Sequence, residues 1–309
     1  MQRKFQVHIL GCSAATPTSL RHTTSQVLAY HNKYFLLDCG EGTQMQLRRM
    51  KLPMMKIEHI FISHLHGDHY LGLPGLLFSL HLLGRKKEIH IYAPPGIQQI
   101  IDVQFTLSEL SPLYQIHYHD ITRPEDCIFE DRYLTVETME MTHRIPSFGF
   151  LFREKPHKRN LSKESILKYD IPRDQMDAIK EGADLVLPDG KKVPNHKITI
   201  SPAHSRAYAF CSDTAYSEAF LHQINGVDLM YHEATFLNDK AGIAAEKTHS
   251  TTLEAATLAK KAGVKKLLLG HYSARYNDLQ LFAQEARQVF PNTELAEEGR
   301  IIQVGDEQP

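Results

Sequence analysis

The segment His64-Leu65-His66-Gly67-Asp68-His69 gathers three imidazoles and a carboxylate within six residues. Imidazole nitrogen and carboxylate oxygen are the borderline ligands that suit zinc. The segment follows an apolar run, Ile60-Phe61-Ile62-Ser63, that reads as a strand, and it precedes a helical pattern. In extended or turning backbone, residues two apart point to one side, so His64 and His66 can face one metal. Gly67 permits a sharp reversal that lets Asp68 and His69 face a second. Three more candidates close predicted strands: His143, Asp213 and His271. Strand ends are where α/β folds assemble their sites. Together the seven residues offer enough ligands for two metals. Asp213 is the natural bridge, because a carboxylate has two oxygens. Two ions about 3.5–4 Å apart can clamp the attacking and leaving oxygens of an in-line displacement.

The elements that must position these groups are legible as short apolar runs. Strands are predicted over 5–10, 26–30, 34–38, 59–63, 89–92, 133–141, 148–152, 207–211, 228–231 and 266–270, with turn residues between them. Helical patterns cover 73–83, 252–262 and 278–290. The first third is strand-rich and later strands alternate with helices. That order predicts layered sheets with helices outside them, not a doubly wound sheet.

The chain has 309 residues, 42% of them hydrophobic and 23% charged, which is enough to bury a large core. Histidine is over-represented, with 19 residues against 4 cysteines and no tryptophan. The formal net charge of −1 gives no global attraction to nucleic acid, so any such affinity must come from a local patch. One segment, 153–197, is polar and charged and lacks a long apolar strand. Its first part, 153–168, carries six lysines and arginines against two glutamates, a net of +4. A helical stretch over 173–181 follows, then a short strand at 185–187 with a Pro-Asp-Gly turn. The segment reads either as a solvated insertion or as a projecting basic arm. No stretch approaches the length of a membrane span. Met1-Gln2-Arg3-Lys4-Phe5 leads into no signal-peptide pattern. Cys12, Cys39, Cys127 and Cys211 form no C-x-x-C pair, so free thiols in a reducing cytoplasm are expected.

In order and spacing, His64-x-His66-x-Asp68-His69, His143, Asp213 and His271 resemble the ligand motifs of the metallo-β-lactamase superfamily. Asp38, in Asp38-Cys39-Gly40-Glu41-Gly42-Thr43-Gln44, resembles its upstream structural aspartate. The likeness narrows to the ribonuclease Z family. It is carried there by the Asp38 segment, Pro146-Ser147-Phe148-Gly149-Phe150, His271-Tyr272-Ser273-Ala274-Arg275-Tyr276, His232-Glu233-Ala234-Thr235-Phe236 and His249-Ser250-Thr251. The resemblance implies one αββα sandwich domain over 1–309, with 153–197 as an inserted flexible tRNA-binding arm. It implies two zinc ions, one held by His64, His66 and His143, the other by Asp68, His69 and His271, with Asp213 bridging. It also implies a homodimer that cleaves the 3′ trailer from precursor tRNA. In that chemistry Asp68 is the candidate general base, and His249, oriented by Glu233, the candidate general acid. His249 could instead cap the helix that starts near Ser250. Arg275, Ser273, Arg21, Lys155, Lys158 and Arg159 are the candidate RNA contacts, because lysine and arginine suit phosphate.

The chain departs from the family pattern in three places. Ser212 precedes Asp213 where glycine is usual, Arg21-His22 stands for Arg-Asn, and Asp170-Ile171-Pro172 replaces a Gly-Pro pair. Two competing readings share the metal residues. One is another hydrolase of this fold: a small phosphodiesterase, an arylsulfatase or a glyoxalase-type thioesterase. The other is a nucleic-acid-binding protein with structural metals. Structural zinc sites are usually closed and cysteine-rich, and this set is neither.

Overall fold

The computed structural model describes residues 4–202 and 204–305. These form two compact units, the larger from residues up to Asp131, Thr135–Phe152 and Ala207 onward, the smaller from Arg132–Leu134 and Arg153–Arg206. Fourteen strands build two seven-stranded sheets. They are β1 (Phe5–Gly11), β2 (Ser25–Tyr30), β3 (Lys33–Cys39), β4 (Ile57–Phe61), β5 (Ile89–Ala93), β6 (Ile116–Asp120) and β7 (Cys127–Glu130). The rest are β8 (Leu134–Met141), β9 (Ser147–Glu154), β10 (Ala207–Cys211), β11 (Leu229–Glu233), β12 (Leu267–Gly270), β13 (Thr293–Leu295) and β14 (Ile301–Gln303). The first sheet runs β14-β1-β2-β3-β4-β5-β6 and the second β13-β12-β11-β10-β9-β8-β7.

The sheets face each other through aromatic side chains. Phe35 and Phe61 of the first meet Phe152 and Phe150 of the second, with ring centroids 5.7 and 5.4 Å apart respectively. On the outside of the first sheet lie α1 (Thr43–Arg49), the single turn α2 (Gly67–Tyr70), α3 (Gly72–Leu82) and α4 (Ile97–Leu107). Leu73, Leu76, Leu77 and Leu80 of α3 recur at helical spacing and pack with Leu36, Ile60, Ile89 and Ile91 of the sheet. On the second sheet, α5 (Thr252–Lys261) packs on β11 and β12, and α6 (Gln280–Arg287) on β13. The start of α5 is fixed by a capping box between Thr251 and Glu254, and Gly263 follows its end at φ 59°. This is the expected αββα sandwich.

Every strand predicted from the sequence is present, with ends moved by at most two residues. Four strands were not anticipated: β6, β7, β13 and β14. β6 (Ile-His-Tyr-His-Asp) and β7 (Cys-Ile-Phe-Glu) are edge strands with no fully buried residue, and β13 and β14 are three residues long. Their hydrophobic signal is too weak or too short to read. The parallel strands β10, β11 and β12 show the opposite limit. They are buried at every position and so read as nearly continuous apolar runs. No described helix is long and apolar enough to cross a membrane.

The smaller unit has its own core of Ile171, Ile179, Leu185 and Ile198, with Leu161, Ile166, Tyr169, Met176 and Val193 packed around it. Helices Lys163–Tyr169 and Arg173–Lys180 and the two-residue strand pair Leu185–Val186 with Lys192–Val193 supply Ile166, Tyr169, Met176, Ile179, Leu185 and Val193. The expectation of a merely solvated insertion is therefore corrected. Apolar residues are sparse here, but helix periodicity brings them to one side. The Gly-Pro departure is also resolved. Asp170 takes the left-handed conformation, φ 44°, that ends the first helix, and Pro172 caps the second. At the base, Glu154 and Arg206 form a buried two-pronged ion pair, Arg206 Nη2 to Oε1 2.8 Å and Nε to Oε2 3.0 Å.

Around the first sheet, the Gly40 loop, α2 and the start of α3 approach so closely that side chains are excluded. A Cβ on Gly72 would lie 2.0 Å from the Gly40 carbonyl oxygen, and one on Gly40 would lie 2.6 Å from that of Asp68. Because both obstacles are backbone, Gly72→Ala should destabilise the fold by about 1–3 kcal/mol or more. A lowered urea midpoint at unchanged slope would show this. An unchanged midpoint would mean that the loops separate freely.

Candidate metal centre

Six loops that leave strand ends converge on one point. Asp38 lies near the end of β3, and His64, His66, Asp68 and His69 follow β4. His143 follows β8, Asp213 follows β10, Thr235 follows β11 and His271 follows β12. The seven sequence-predicted ligands fall into two groups. His64, His66, His143 and Asp213 form one, and Asp68, His69 and His271 the other.

A tetrahedral zinc with bonds of about 2.0–2.1 Å keeps its ligand atoms roughly 3.3–3.4 Å apart. In the first group His66 turns Nδ1 inward, 3.0 Å from His64 Nε2 and 3.2 Å from His143 Nε2. His64 Nε2 lies 3.6 Å from Asp213 Oδ2. In the second group His69 Nε2 lies 3.3 Å from His271 Nε2 and 3.4 Å from Asp68 Oδ2. Asp213 Oδ1 lies 3.3 Å from His69 Nε2 and 3.2 Å from His271 Nε2, yet it is buried without a hydrogen bond to either. A buried carboxylate oxygen with no hydrogen-bond donor is costly. A cation shared with the two neighbouring nitrogens would satisfy it. The donor chemistry, the spacing and this oxygen all fit a pair of metal ions bridged by Asp213.

The outward-facing atoms of the imidazoles are also fixed. Asp38 Oδ2 lies 2.7 Å from His69 Nδ1 and takes its proton. The Thr248 carbonyl, 2.9 Å away, takes that of His143 Nδ1. Ser63 donates its hydroxyl to Asp38 Oδ2 at 2.9 Å, so its oxygen accepts from His64 Nδ1 at 3.0 Å and from Ser212 at 2.9 Å. Thr235 donates to Glu233 Oε2 at 2.8 Å, so its oxygen accepts from His271 Nδ1 at 2.9 Å. In its neutral form each of these four imidazoles is thereby left with its lone-pair nitrogen, Nε2, directed inward. Ser63, Thr235 and Thr248 were not singled out in the sequence, where nothing separates an orienting hydroxyl from an ordinary one. Ser212, a departure from the family pattern, supplies a hydrogen bond that glycine could not.

Burial pushes His64, His66 and His143 below the ordinary histidine range. His69 goes the other way. Burial opposes its charge, but Asp213, Asp68 and Asp38 outweigh burial. The Asp213 carboxyl falls far below the usual range despite burial, because His271, His69 and His64 surround it.

His249 stands beside both groups, its Nδ1 3.9 Å from Asp213 Oδ2. That nitrogen is committed to Glu233 Oε1 at 2.8 Å. Glu233 is fully buried and also accepts the amides of Thr214, Ser250 and Thr235. Burial disfavours the His249 cation, but the Glu233 charge and hydrogen bond raise its pKa to about 9. The helix-capping alternative fails, because Thr251 caps α5.

The predicted RNA contacts are less uniform. Arg275 is exposed, held by Ser273 Oγ at 3.0 Å and lying over the Phe236 ring. The Ser273 amide donates to the Thr235 carbonyl, next to the site. Arg21 is buried and donates to the Tyr276 carbonyl at 2.7 Å, so its position serves the loop and not an exposed phosphate. His22, the neighbouring departure, is pinned to Glu298. In the smaller unit Lys158 pairs with Glu181 at 2.7 Å and Arg159 donates to Thr199 at 2.6 Å, while Lys155 is half-buried. Lys163 and Lys168 are more exposed than any of these three except Lys158, and nothing in their residue type or spacing marks them out.

Thr235→Val keeps the shape of the side chain but removes the hydroxyl between His271 and Glu233. Metal affinity should fall by about 10–100-fold, the usual result of losing a hydrogen bond behind a ligand. Competition against a chromophoric chelator measures this. Wild-type affinity in the variant would show that His271 needs no such support.

A family profile described as anti-Pycsar protein Apyc1 matches residues 5–162. That stretch includes His64 to His143 but stops short of Asp213, His249 and His271. Ribonuclease Z of Phocaeicola vulgatus is 45% identical over 307 residues, 99% of each chain. The crystal structure of human tRNase Z, short form, superposes with a TM-score of 0.72 at 28% identity, covering 97% of this chain and all of that one. The metallo-β-lactamase fold protein YhfI from Bacillus subtilis covers 97% of this chain and 99% of its own with a TM-score of 0.69 at 18% identity, a likeness of fold alone. With relatedness of this degree along its whole length, the chain belongs to the ribonuclease Z family.

Proposed function

We propose that this protein is a zinc-dependent endoribonuclease that removes the 3′ trailer from precursor tRNA, leaving a 3′-hydroxyl on the tRNA and a 5′-phosphate on the trailer. One observation carries the reading. Two groups of side chains suited to metal binding both lie against Asp213, and His249 stands beside them with its inner nitrogen occupied by Glu233. Two bound zinc ions supply Lewis-acid activation of water and charge stabilisation at the phosphoryl oxygens.

The chain's own groups do the rest. Asp68 is the carboxylate placed to take the proton of the attacking water. The Ala15 amide holds its Oδ2 at 2.7 Å. The leaving 3′-oxygen departs as an alkoxide unless it is protonated. With Nδ1 tied to Glu233, His249 delivers its proton from Nε2. Arg275 and Ser273, beside the site, are the groups proposed to hold flanking phosphates. The smaller unit is the proposed tRNA-binding arm. Over 153–206 its net charge of +4 lies entirely within 153–168, since acids and bases balance over 169–206. Pairing into a homodimer, implied by the family resemblance, is part of the proposal.

Incubating the purified protein with a precursor tRNA that carries a 3′ trailer and mapping the new ends tests the activity. Chelation should abolish cleavage, and elemental analysis should return close to two zinc ions per chain by the ligand count. His249→Ala should keep both ions and slow cleavage by roughly 10²–10⁴-fold, the usual range for general acid–base catalysis. Loss of zinc in that variant would make His249 a ligand. Wild-type cleavage would remove it from the chemistry.

The arm generates a separate expectation. The Ser205 hydroxyl donates to the Lys155 carbonyl at 3.3 Å, so the two ends of the insert lie together and a short Gly/Ser linker can close the chain after deletion of 156–202. The deletion keeps Glu154, Arg206 and all seven ligands. A small phosphodiester should be cleaved about as before, while precursor tRNA should bind much more weakly. If about three phosphate contacts are lost, the salt dependence of tRNA binding should flatten by roughly two to three units. Unchanged affinity and salt dependence would reduce the insert to a folded bystander.

A further inference from the structure

Among the histidines of the larger unit that lie outside the centre described above, His59, His90, His117 and His119 gather on one sheet. The parallel strands β4, β5 and β6 pair His59 with His90, His90 with His117 and Tyr92 with His119. Paired residues of parallel strands project from the same face, so these rings form a ladder across three strands. The opposite face carries Ile60, Ile89 and Ile91 and is buried under the helices. The rings stack. His90 lies 5.1 Å from His59 at 20°, 4.7 Å from His117 at 14° and 5.3 Å from His119 at 20°. Phe129 of β7 packs on His59, centroid to centroid 4.6 Å. Beyond it the ladder opens to solvent. His90 is 23% and His117 32% exposed.

Glu88, just before β5, supplies a carboxylate at the open end. Its Oε2 lies 3.2 Å from His117 Nε2 and its Oε1 3.6 Å from His90 Nε2. These distances straddle the ligand spacing of roughly 3.3–3.4 Å that a tetrahedral zinc imposes. One donor atom from each of Glu88, His90 and His117 lies within 4.8 Å of the others. The remaining nitrogen of His90, Nδ1, is 3.0 Å from His119 Nε2. That contact orients the His90 ring and keeps its proton on Nδ1, which leaves Nε2 bare toward Glu88.

We propose that Glu88, His90 and His117 form a second, exchangeable site for a divalent transition-metal ion of the zinc, nickel and copper class, with His119 as the positioning residue. Two imidazoles and one carboxylate leave at least one coordination position for water, the pattern of an open site and not of a closed structural one. Its ligands come from two adjacent strands, so a bound ion clamps the edge strand β6 to β5. Burial and the neighbouring His90 and His117 lower the His119 pKa, and burial with His90 and Lys33 brings that of His59 to about 3.

The test uses the full chain with its buried centre filled with zinc and free metal dialysed away. Isothermal titration with Ni²⁺, and separately with Zn²⁺, should reveal one further ion per chain. The double variant Glu88→Gln, His117→Ala should lose that ion, and His119→Gln should weaken it by about 10–100-fold. Ni²⁺ should slow amide hydrogen exchange in 116–120 of the wild type and not of the double variant, a reading that does not depend on catalysis. Both variants should cleave precursor tRNA at the wild-type rate in metal-free buffer. No ion beyond those of the buried centre in the wild type, or equal uptake by the double variant, overturns the proposal.

Discussion

The centre rests on one constraint, the burial of the Asp213 carboxylate. A charge taken out of water must be matched where it sits, or the fold gives up several kcal/mol. His64, His69 and His271 match it from three sides, the first two from the stretch that follows β4 and the third from the end of β12. That requirement draws the ends of β4, β10 and β12 to one point. The αββα sandwich supplies this geometry because its central strands are parallel, so that strands leading to these residues end on the same side of each sheet. An aliphatic residue in place of Asp213 would leave three inward-facing nitrogens with nothing to answer them.

Convergence of so many loops has a conformational cost. Nine described non-glycine residues adopt positive φ, and four of them belong to the site: Ala15 at 62°, Asp38 at 52°, Thr248 at 55° and His271 at 59°. Such backbone persists only where its surroundings fix it. Here the fixing contacts are the same ones that aim the ligands. Asp38 holds Ser63 and His69, the Ala15 amide holds Asp68, and Thr248 holds His143. Strain and function therefore share one set of hydrogen bonds.

The inner layer of this arrangement is legible in the sequence, and the outer layer is not. His64 through His69 announce themselves by density, and His143, Asp213 and His271 by their places after apolar runs. The strands before Asp213 and His271 are buried at every position, so their hydrophobic signal is strong. Ser63, Thr235 and Thr248 carry no comparable signal, because a hydroxyl that orients an imidazole is chemically the same as one on the surface. Arg21 shows the converse error. Its type suits phosphate, but only the fold reveals that its guanidinium is turned to the Tyr276 carbonyl. The small core of the insert was hidden for a third reason. Its core residues lie at helical spacing among charges, so low average hydrophobicity concealed a small packed unit.

The two halves of the chemistry are joined by a single hydroxyl. Thr235 donates to Glu233 and accepts from His271, which makes one chain from a metal-facing imidazole through Thr235 and Glu233 to His249. A hydroxyl has one proton, so the direction of each bond follows from the others. Glu233, ionised, can only accept, and Thr235 must give its proton to it. His271 must then present its own Nδ1 proton to Thr235, which leaves Nε2 for the centre. The other oxygen of Glu233 accepts from His249 Nδ1, which leaves the His249 Nε2 proton free to serve the proposed leaving group. The tautomer that would make His271 a ligand and the one that would make His249 an acid are thus set by the same carboxylate. That explains why the chain buries Glu233 completely although it stands outside both ligand groups.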